Sequence, residues 1–295
     1  MKSRGLTQGC KAIITGASTG IGRALSVQLA KKYKAQLVIT ARTESHLNET
    51  KELVEKAGGK AIAVVGDIAE HAVQKAAVDA SFNEFGCVDI LVNNAGLAKP
   101  GSLMRLTPED WERVFAVNFF APLRLTYAVL PHFVDNKKGK IVNISSVAGK
   151  VSFPGSVCYA ASKFALTGMS EGMAAELARH GVDVITVCPG WVRSEFFTKN
   201  QLSESRNPTI IAQQKNLSGL IMRNLLSISS DECAADTIRA MEKGGSHEIV
   251  LTHPGRAVER LQALCPSAIS MLSKTLSKQM VESSAATAPE TNTLR

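Results

Sequence analysis

From the first ten residues to about residue 252, short apolar runs alternate with longer amphipathic stretches. The short runs are Lys11–Thr15, Gln36–Ala41, Lys60–Val65, Ile90–Val92, Lys140–Ile144, Asp183–Cys188 and Glu248–Leu251, and each reads as a strand. The stretches between them, Gly22–Tyr33, Glu44–Ala57, Ala72–Phe85, Pro108–Val134, Tyr159–His180 and Asp231–Lys243, read as helices. Such alternation predicts βαβ units around a parallel sheet, an α/β fold. There is no internal repeat of fixed period.

Three stretches depart from the pattern. Residues 194–229 hold Leu202, Ile210, Ile211, Leu217, Leu220, Ile221 and Leu225, and predict a helical lid packed onto the domain. In residues 253–280, Val258, Leu261, Leu264, Ile269, Leu272, Leu276 and Met280 fall at spacings that suit one helical face, so an amphipathic extension interrupted at Pro266 is expected. Val281–Arg295 is rich in Ser, Thr and Ala and predicts a disordered tail.

Composition narrows the function classes. The 295 residues are 45% apolar and 20% charged, which excludes disorder and fibrous repeats for the bulk of the chain. Aromatic residues are only 5%, which argues against a base-stacking surface, so the net charge of +8 does not by itself point to nucleic acid. Six cysteines lie far apart with no metal-ligand spacing, and predict reduced thiols and no metal site. Cys158 and Cys188 adjoin candidate site residues, where buried packing is preferred to a redox switch. No apolar run approaches the roughly 18 residues of a membrane span, and Met1–Cys10 lacks the apolar core of a signal peptide, so a cytoplasmic protein is expected.

Chemistry enters with Thr15-Gly16-Ala17-Ser18-Thr19-Gly20-Ile21-Gly22, which leads from the first strand straight into the first helix. Glycines there permit a tight turn and close backbone approach to a pyrophosphate, while the helix N-terminus offers free N–H groups and partial positive charge. A merely structural turn is the alternative. The spacing resembles the TGxxxGIG loop of the classical short-chain dehydrogenases/reductases. That resemblance recurs in the family's order: Asp67, Asn93-Asn94-Ala95-Gly96, Asn118, Ser146, Tyr159-Ala160-Ala161-Ser162-Lys163 and Pro189-Gly190. It covers residues 8–252. It implies one catalytic domain, a Rossmann-type doubly wound parallel seven-stranded sheet of order 3-2-1-4-5-6-7 with helices on both faces.

The resemblance also implies a nicotinamide dinucleotide held by Gly16, Ser18, Thr19, Gly20, Ile21 and Gly22, with Asp67 and Ile68 by the adenine. Asn94, Ala95 and Gly96 would lie along the adenosine side, and Pro189, Gly190, Val192 and Ser194 toward the nicotinamide. Ser194 stands where the family often has Thr and keeps the hydroxyl. After the second strand comes Thr40-Ala41-Arg42-Thr43. Ala41 occupies the position of the acid found in members that prefer NAD, and Arg42 can fork onto a 2′-phosphate, so NADP(H) is expected over NAD(H). A solvent-facing arginine is the alternative.

Lys163 follows Tyr159 by four residues, which on a helix puts both on one face. A phenol of pKa near 10 is a poor base until positive charge favours its phenolate, and Lys163 together with an oxidised nicotinamide would supply that field. In the reducing direction the same phenol donates a proton to a carbonyl oxygen. Ser146 is expected to hold that oxygen, with Ser145 the neighbouring alternative. The resemblance implies that Asn118 sits at a local helix distortion and holds a proton relay that runs through Lys163; a core amide bonded to backbone is the alternative.

An NADP(H)-dependent oxidoreductase is therefore expected, acting on an apolar carbonyl or secondary alcohol such as a lipid, steroid, retinoid or xenobiotic ketone. Val151, Phe153, Val157, Trp191, Phe196 and Phe197 would wall its pocket, with packing in the core the alternative reading of the same residues. A non-enzymatic NADP(H)-binding sensor or scaffold is the alternative. A homodimer or homotetramer is expected from the resemblance. The extension has three candidate uses: folding over the pocket, oligomer contact, or peripheral membrane docking through residues 255–280.

Overall fold

In the computed structural model, which describes residues 5–193, 227–271 and 273–275, the apolar runs form strands β1 (Lys11–Thr15), β2 (Gln36–Ala41), β3 (Lys60–Val65), β4 (Ile90–Asn93), β5 (Gly139–Ile144) and β6 (Val182–Cys188). Two three-residue strands follow, β7 (Trp191–Arg193) and β8 (Ser227–Ser229), and then β9 (His247–Val250). The helices are α1 (Gly20–Tyr33), α2 (Glu44–Lys56), α3 (His71–Phe85), α4 (Pro108–Phe115), α5 (Ala121–Asp135), α6 (Val157–Leu177), α7 (Ser230–Lys243) and α8 (His253–Leu264).

Seven parallel strands pair in the order β3-β2-β1-β4-β5-β6-β9. The expected doubly wound sheet is present, and its last strand is β9 only because β7 and β8 pair with each other in a separate two-stranded sheet. Those two short strands join the ends of residues 194–226, Val192 facing Ile228. Of the lid expected over 194–229, residues 194–226, Ser194 included, lie outside the described residues, as does the tail 281–295, while 227–229 form β8.

Successive side chains of a strand point to opposite faces, and each face has its own core. Ile14, Leu37 and Ile39 pack with Leu25, Leu29, Leu47, Ile238 and Met241 of α1, α2 and α7. Their neighbours Ile13 and Val38 pack on the other side with Val73, Ala77, Leu125, Val129 and Phe133 of α3 and α5. Burial on both faces explains why the central strands read as unbroken apolar runs rather than alternating ones.

The stretch read as one helix, Pro108–Val134, is α4 and α5 joined by a π-turn at Ala116–Phe120. Pro122 cannot donate to the Asn118 carbonyl four residues back, and its ring crowds that oxygen, so the ladder widens. The Ala121 N–H donates instead to Ala116, five residues back. Counted across its polar positions, Pro108–Asp135 is long and apolar enough to cross a bilayer, although no uninterrupted apolar run is. Its buried stripe, Val117, Ala121, Leu125, Val129 and Phe133, lies against the sheet, which accounts for that apolarity as core.

Candidate active site

β1 sits between β2 and β4, and the chain winds outward in opposite directions from this pair. A crevice opens beyond the strand ends at such a switch point. Gly16 and Gly20 turn there at φ +66° and +57°, left-handed values that glycine adopts without strain. A Cβ on Gly16 would come within 2.8 Å of Ala95 Cα, and one on Gly22 would collide with the Gly16 carbonyl oxygen.

Asn94 completes the lock. Its Nδ2 donates to the Thr15 and Gly16 carbonyls at 2.8 and 3.0 Å. Thr15 Oγ1 accepts from the Asn94 and Ala95 N–H groups, both at 3.0 Å. The first turn of α1 has no side-chain cap at Thr19 and no acidic residue, so its N–H groups remain available to an anion. Gly22→Ala should lower the melting temperature and the dinucleotide affinity together, because overpacking costs about 1–3 kcal/mol; a thermal scan and a binding titration check both.

The loop borders a cleft of about 270 Å³. One end is lined by Thr40, Ala41, Arg42, Thr43, His46, Asp67, Ile68 and Arg113. Gly16, Ser18, Thr19, Gly20, Ile21, Asn94, Ala95, Gly96 and Leu97 form the middle, and Ser146, Tyr159, Lys163, Pro189, Gly190 and Val192 the far end. Gly22 and Asn118 stand behind this wall rather than in it.

Arg113 of α4 and His46 were not anticipated from sequence. Arg113 forms an ion pair with Asp67, whose other carboxylate oxygen accepts from the Ala69 N–H at 2.9 Å. Partial burial works to raise the Asp67 carboxyl, but these bonds and the charges of Arg113 and Arg42 hold it below the usual carboxylate range. Asp67 is thus the bound counter-ion of Arg113.

At the far end, α6 presents Tyr159 and Lys163 on one face, and the Lys163 ammonium stands 5.8 Å from the Tyr159 ring centroid. Lys163 donates to the Ile144 carbonyl at 2.8 Å from a position only 3% exposed. Burial pushes this amine down to about 8. Burial likewise pushes the Tyr159 phenol up to about 12, against the opposing effect of the Ser146 hydroxyl. Burial thus dominates the phenol of the chain alone; the activation expected from sequence requires Lys163 together with an oxidised nicotinamide.

Ser145 Oγ is buried against Thr167 Oγ1 at 2.7 Å and the Lys163 carbonyl at 3.2 Å. Ser146, by contrast, lines the cleft together with Tyr159, and its hydroxyl accepts from the Ala148 N–H at 3.0 Å.

Asn118 is fully buried in the π-turn. Its Oδ1 accepts from the Leu97 N–H at 2.7 Å, and its Nδ2 donates to the Leu97 carbonyl at 2.9 Å and to Ser162 Oγ at 2.8 Å. Ser162 donates onward to the Tyr159 carbonyl at 2.7 Å. Asn118 therefore ties the loop after β4 to the helix that carries Tyr159. Of the expected apolar wall, Val151 is buried in the core and Trp191 is half-exposed at the rim. Phe196 and Phe197 lie outside the described residues, and Leu97, Val117, Ile144 and Val192 supply the apolar lining that is seen.

A family model described as short chain dehydrogenase matches residues 11–205. The chain belongs to the short-chain dehydrogenase/reductase family. It is 38% identical over 204 residues to the 3-oxoacyl-[acyl-carrier-protein] reductase FabG of Vibrio cholerae, covering 69% of this chain and 81% of that one. A short-chain dehydrogenase/reductase from Burkholderia phymatum solved in complex with NAD superposes with a TM-score of 0.75 at 28% identity, covering 87% of this chain and 93% of that one. A metagenomic short-chain oxidoreductase solved with NADP gives 0.66 at 29%, covering 82% and 96%.

Members of this family bind a nicotinamide cofactor, and the residues of this short-chain dehydrogenase/reductase fit one. The glycine cradle has no room for a Cβ, α1 opens uncapped toward it, and Thr40 Oγ1, on the cleft wall, is buried with no hydrogen-bond partner among the described residues.

Proposed function

We propose that this short-chain dehydrogenase/reductase interconverts an apolar carbonyl compound and its secondary alcohol with NADP(H). The observation that carries the reading is that Ser146 and Tyr159 line one end of a cleft beside buried Lys163, while Arg42 lines the other end. The cofactor, when bound, supplies or accepts the hydride. Ser146 and Tyr159 hold the substrate oxygen by hydrogen bonds, and Tyr159, protonated at neutral pH, donates its proton to that oxygen during reduction. Lys163, mostly charged at neutral pH, stabilises the phenolate left behind, and Asn118 holds Leu97 and α6 in register around them.

Arg42 and Ala41 support the preference for NADP(H), since the only carboxylate lining that end among the described residues, Asp67, is already neutralised by Arg113. Exposed Leu103 and Met104 in the loop after β4 and Trp191 beside Gly190 support an apolar substrate. Exposed Phe120, Tyr127 and Phe164 support a homodimer through α5 and α6. Free thiols at all six cysteines suit the cytoplasm.

NADPH oxidation over a panel of carbonyl compounds, repeated with NADH, tests the reading; turnover confined to small charged carbonyl compounds would end the apolar assignment. The reduction rate should also fall as pH rises through about 8, where Lys163 loses its charge. In a pH profile of kcat/KM, Lys163→Arg should move that limb upward.

A further inference from the structure

Four contacts close a ring at the Ser146 end of the cleft. The Val147 N–H donates to the Pro189 carbonyl at 2.9 Å, which ties the turn carrying Ser146 to the Pro189–Gly190 turn. Gly190 lies so close to Thr252 that a Cβ on it would collide with Thr252 Oγ1. That oxygen accepts from the Gly255 N–H at 3.1 Å and so caps α8. Gly255 returns to the start, because a Cβ there would lie 2.7 Å from Val147 Cγ2.

Thr252 and Gly255 are both buried. Two further bonds brace the same block: Leu251 N–H to the Cys188 carbonyl at 3.2 Å, and Lys150 to Glu248 at 2.8 Å. The start of the C-terminal extension therefore stands directly behind the reacting end of the cleft, not apart from the domain.

We propose that Thr252, with the first turn of α8, is a positioning element that sets where Ser146 and Gly190 stand. The ring has no slack, since two of its four contacts leave no space for a single carbon. Shrinking Thr252 frees Gly190 to move, and Val147 carries the change to the adjacent Ser146. A catalytic hydroxyl misplaced by about 1 Å costs on the order of 100-fold in rate. The Arg42 end of the cleft shares none of these contacts, so cofactor affinity should change little. The kinetic consequence rests on the reductase reading above, whereas the mechanical one does not.

The test compares Thr252→Ala, Thr252→Ser and the parent chain in two ways. Amide hydrogen exchange is followed in the cofactor-free protein, and NADPH binding and turnover are measured on the best carbonyl from the panel. Thr252→Ala should speed exchange across residues 145–151 and 188–192 by about tenfold or more while residues 12–24 are unchanged. It should lower kcat about 10- to 100-fold with NADPH affinity within about threefold, and Thr252→Ser, which keeps the cap, should recover most of both. Unchanged exchange at 145–151, or an equal rise throughout the chain, overturns the proposal. Exchange that responds in a protein that neither binds NADPH nor reduces any carbonyl upholds the ring and removes the reductase reading instead.

Discussion

Tyr159→Phe should lower the reduction rate about 10²- to 10⁴-fold, the span a positioned acid contributes, and leave NADPH affinity within about twofold. The ring stays where it is, packed and 9% exposed, so what is removed is one hydroxyl. A single neutral hydrogen-bonding group of that kind contributes about 1 kcal/mol, too little to unfold a domain with two extensive cores. The loss should therefore appear in kcat and not in the melting temperature. Ser146→Ala should produce a smaller loss, and the double variant should be hardly slower than Tyr159→Phe alone, because groups that act on one oxygen fail as a unit. Unchanged reduction kinetics in Tyr159→Phe would defeat the mechanism.

The parts of this architecture that were legible in sequence are those that local pattern controls. Strands buried on both faces cannot be written except as apolar runs, and the Gly16, Gly20, Gly22 spacing answers to a turn and a close approach that no other residue allows. Tyr159 and Lys163 share a face through helical periodicity alone.

What was not legible depends on contacts distant along the chain. Arg113 meets Asp67 across 46 positions, and Asn94 reaches back 79 residues to Thr15. Strands β7 and β8 are three residues each and pair across the 33 residues between them, so neither carries a periodic signal. Thr252 looked like the end of the domain until Gly190, 62 residues earlier, was found resting on it. Val151 shows the opposite case: sequence allows pocket wall or core for an apolar residue in that segment, and its burial selects core. The direction of the Tyr159 shift needed burial, which the four-residue spacing does not report.

The second large effect concerns the other end of the cleft. Arg42→Ala should reduce kcat/KM for NADPH about 10- to 100-fold and barely change that for NADH, because a charge-assisted hydrogen bond to a phosphate contributes about 1.5–3 kcal/mol and NADH lacks the phosphate. Arg42 is exposed, so the preference should also shrink as salt rises and the Debye length falls below about 8 Å. Ala41→Asp should act from the opposite direction by placing a carboxylate beside the 2′-phosphate, and the double variant Ala41→Asp/Arg42→Ala should prefer NADH. Arg113 decides how complete that reversal is. It is held by Asp67, so it should not replace Arg42 while that ion pair lasts. Asp67→Asn should loosen Arg113 and return part of the lost NADPH activity to Arg42→Ala. Equal losses with NADPH and NADH in Arg42→Ala would instead mean that Arg42 meets no 2′-phosphate, and the preference for NADP(H) would fall with it.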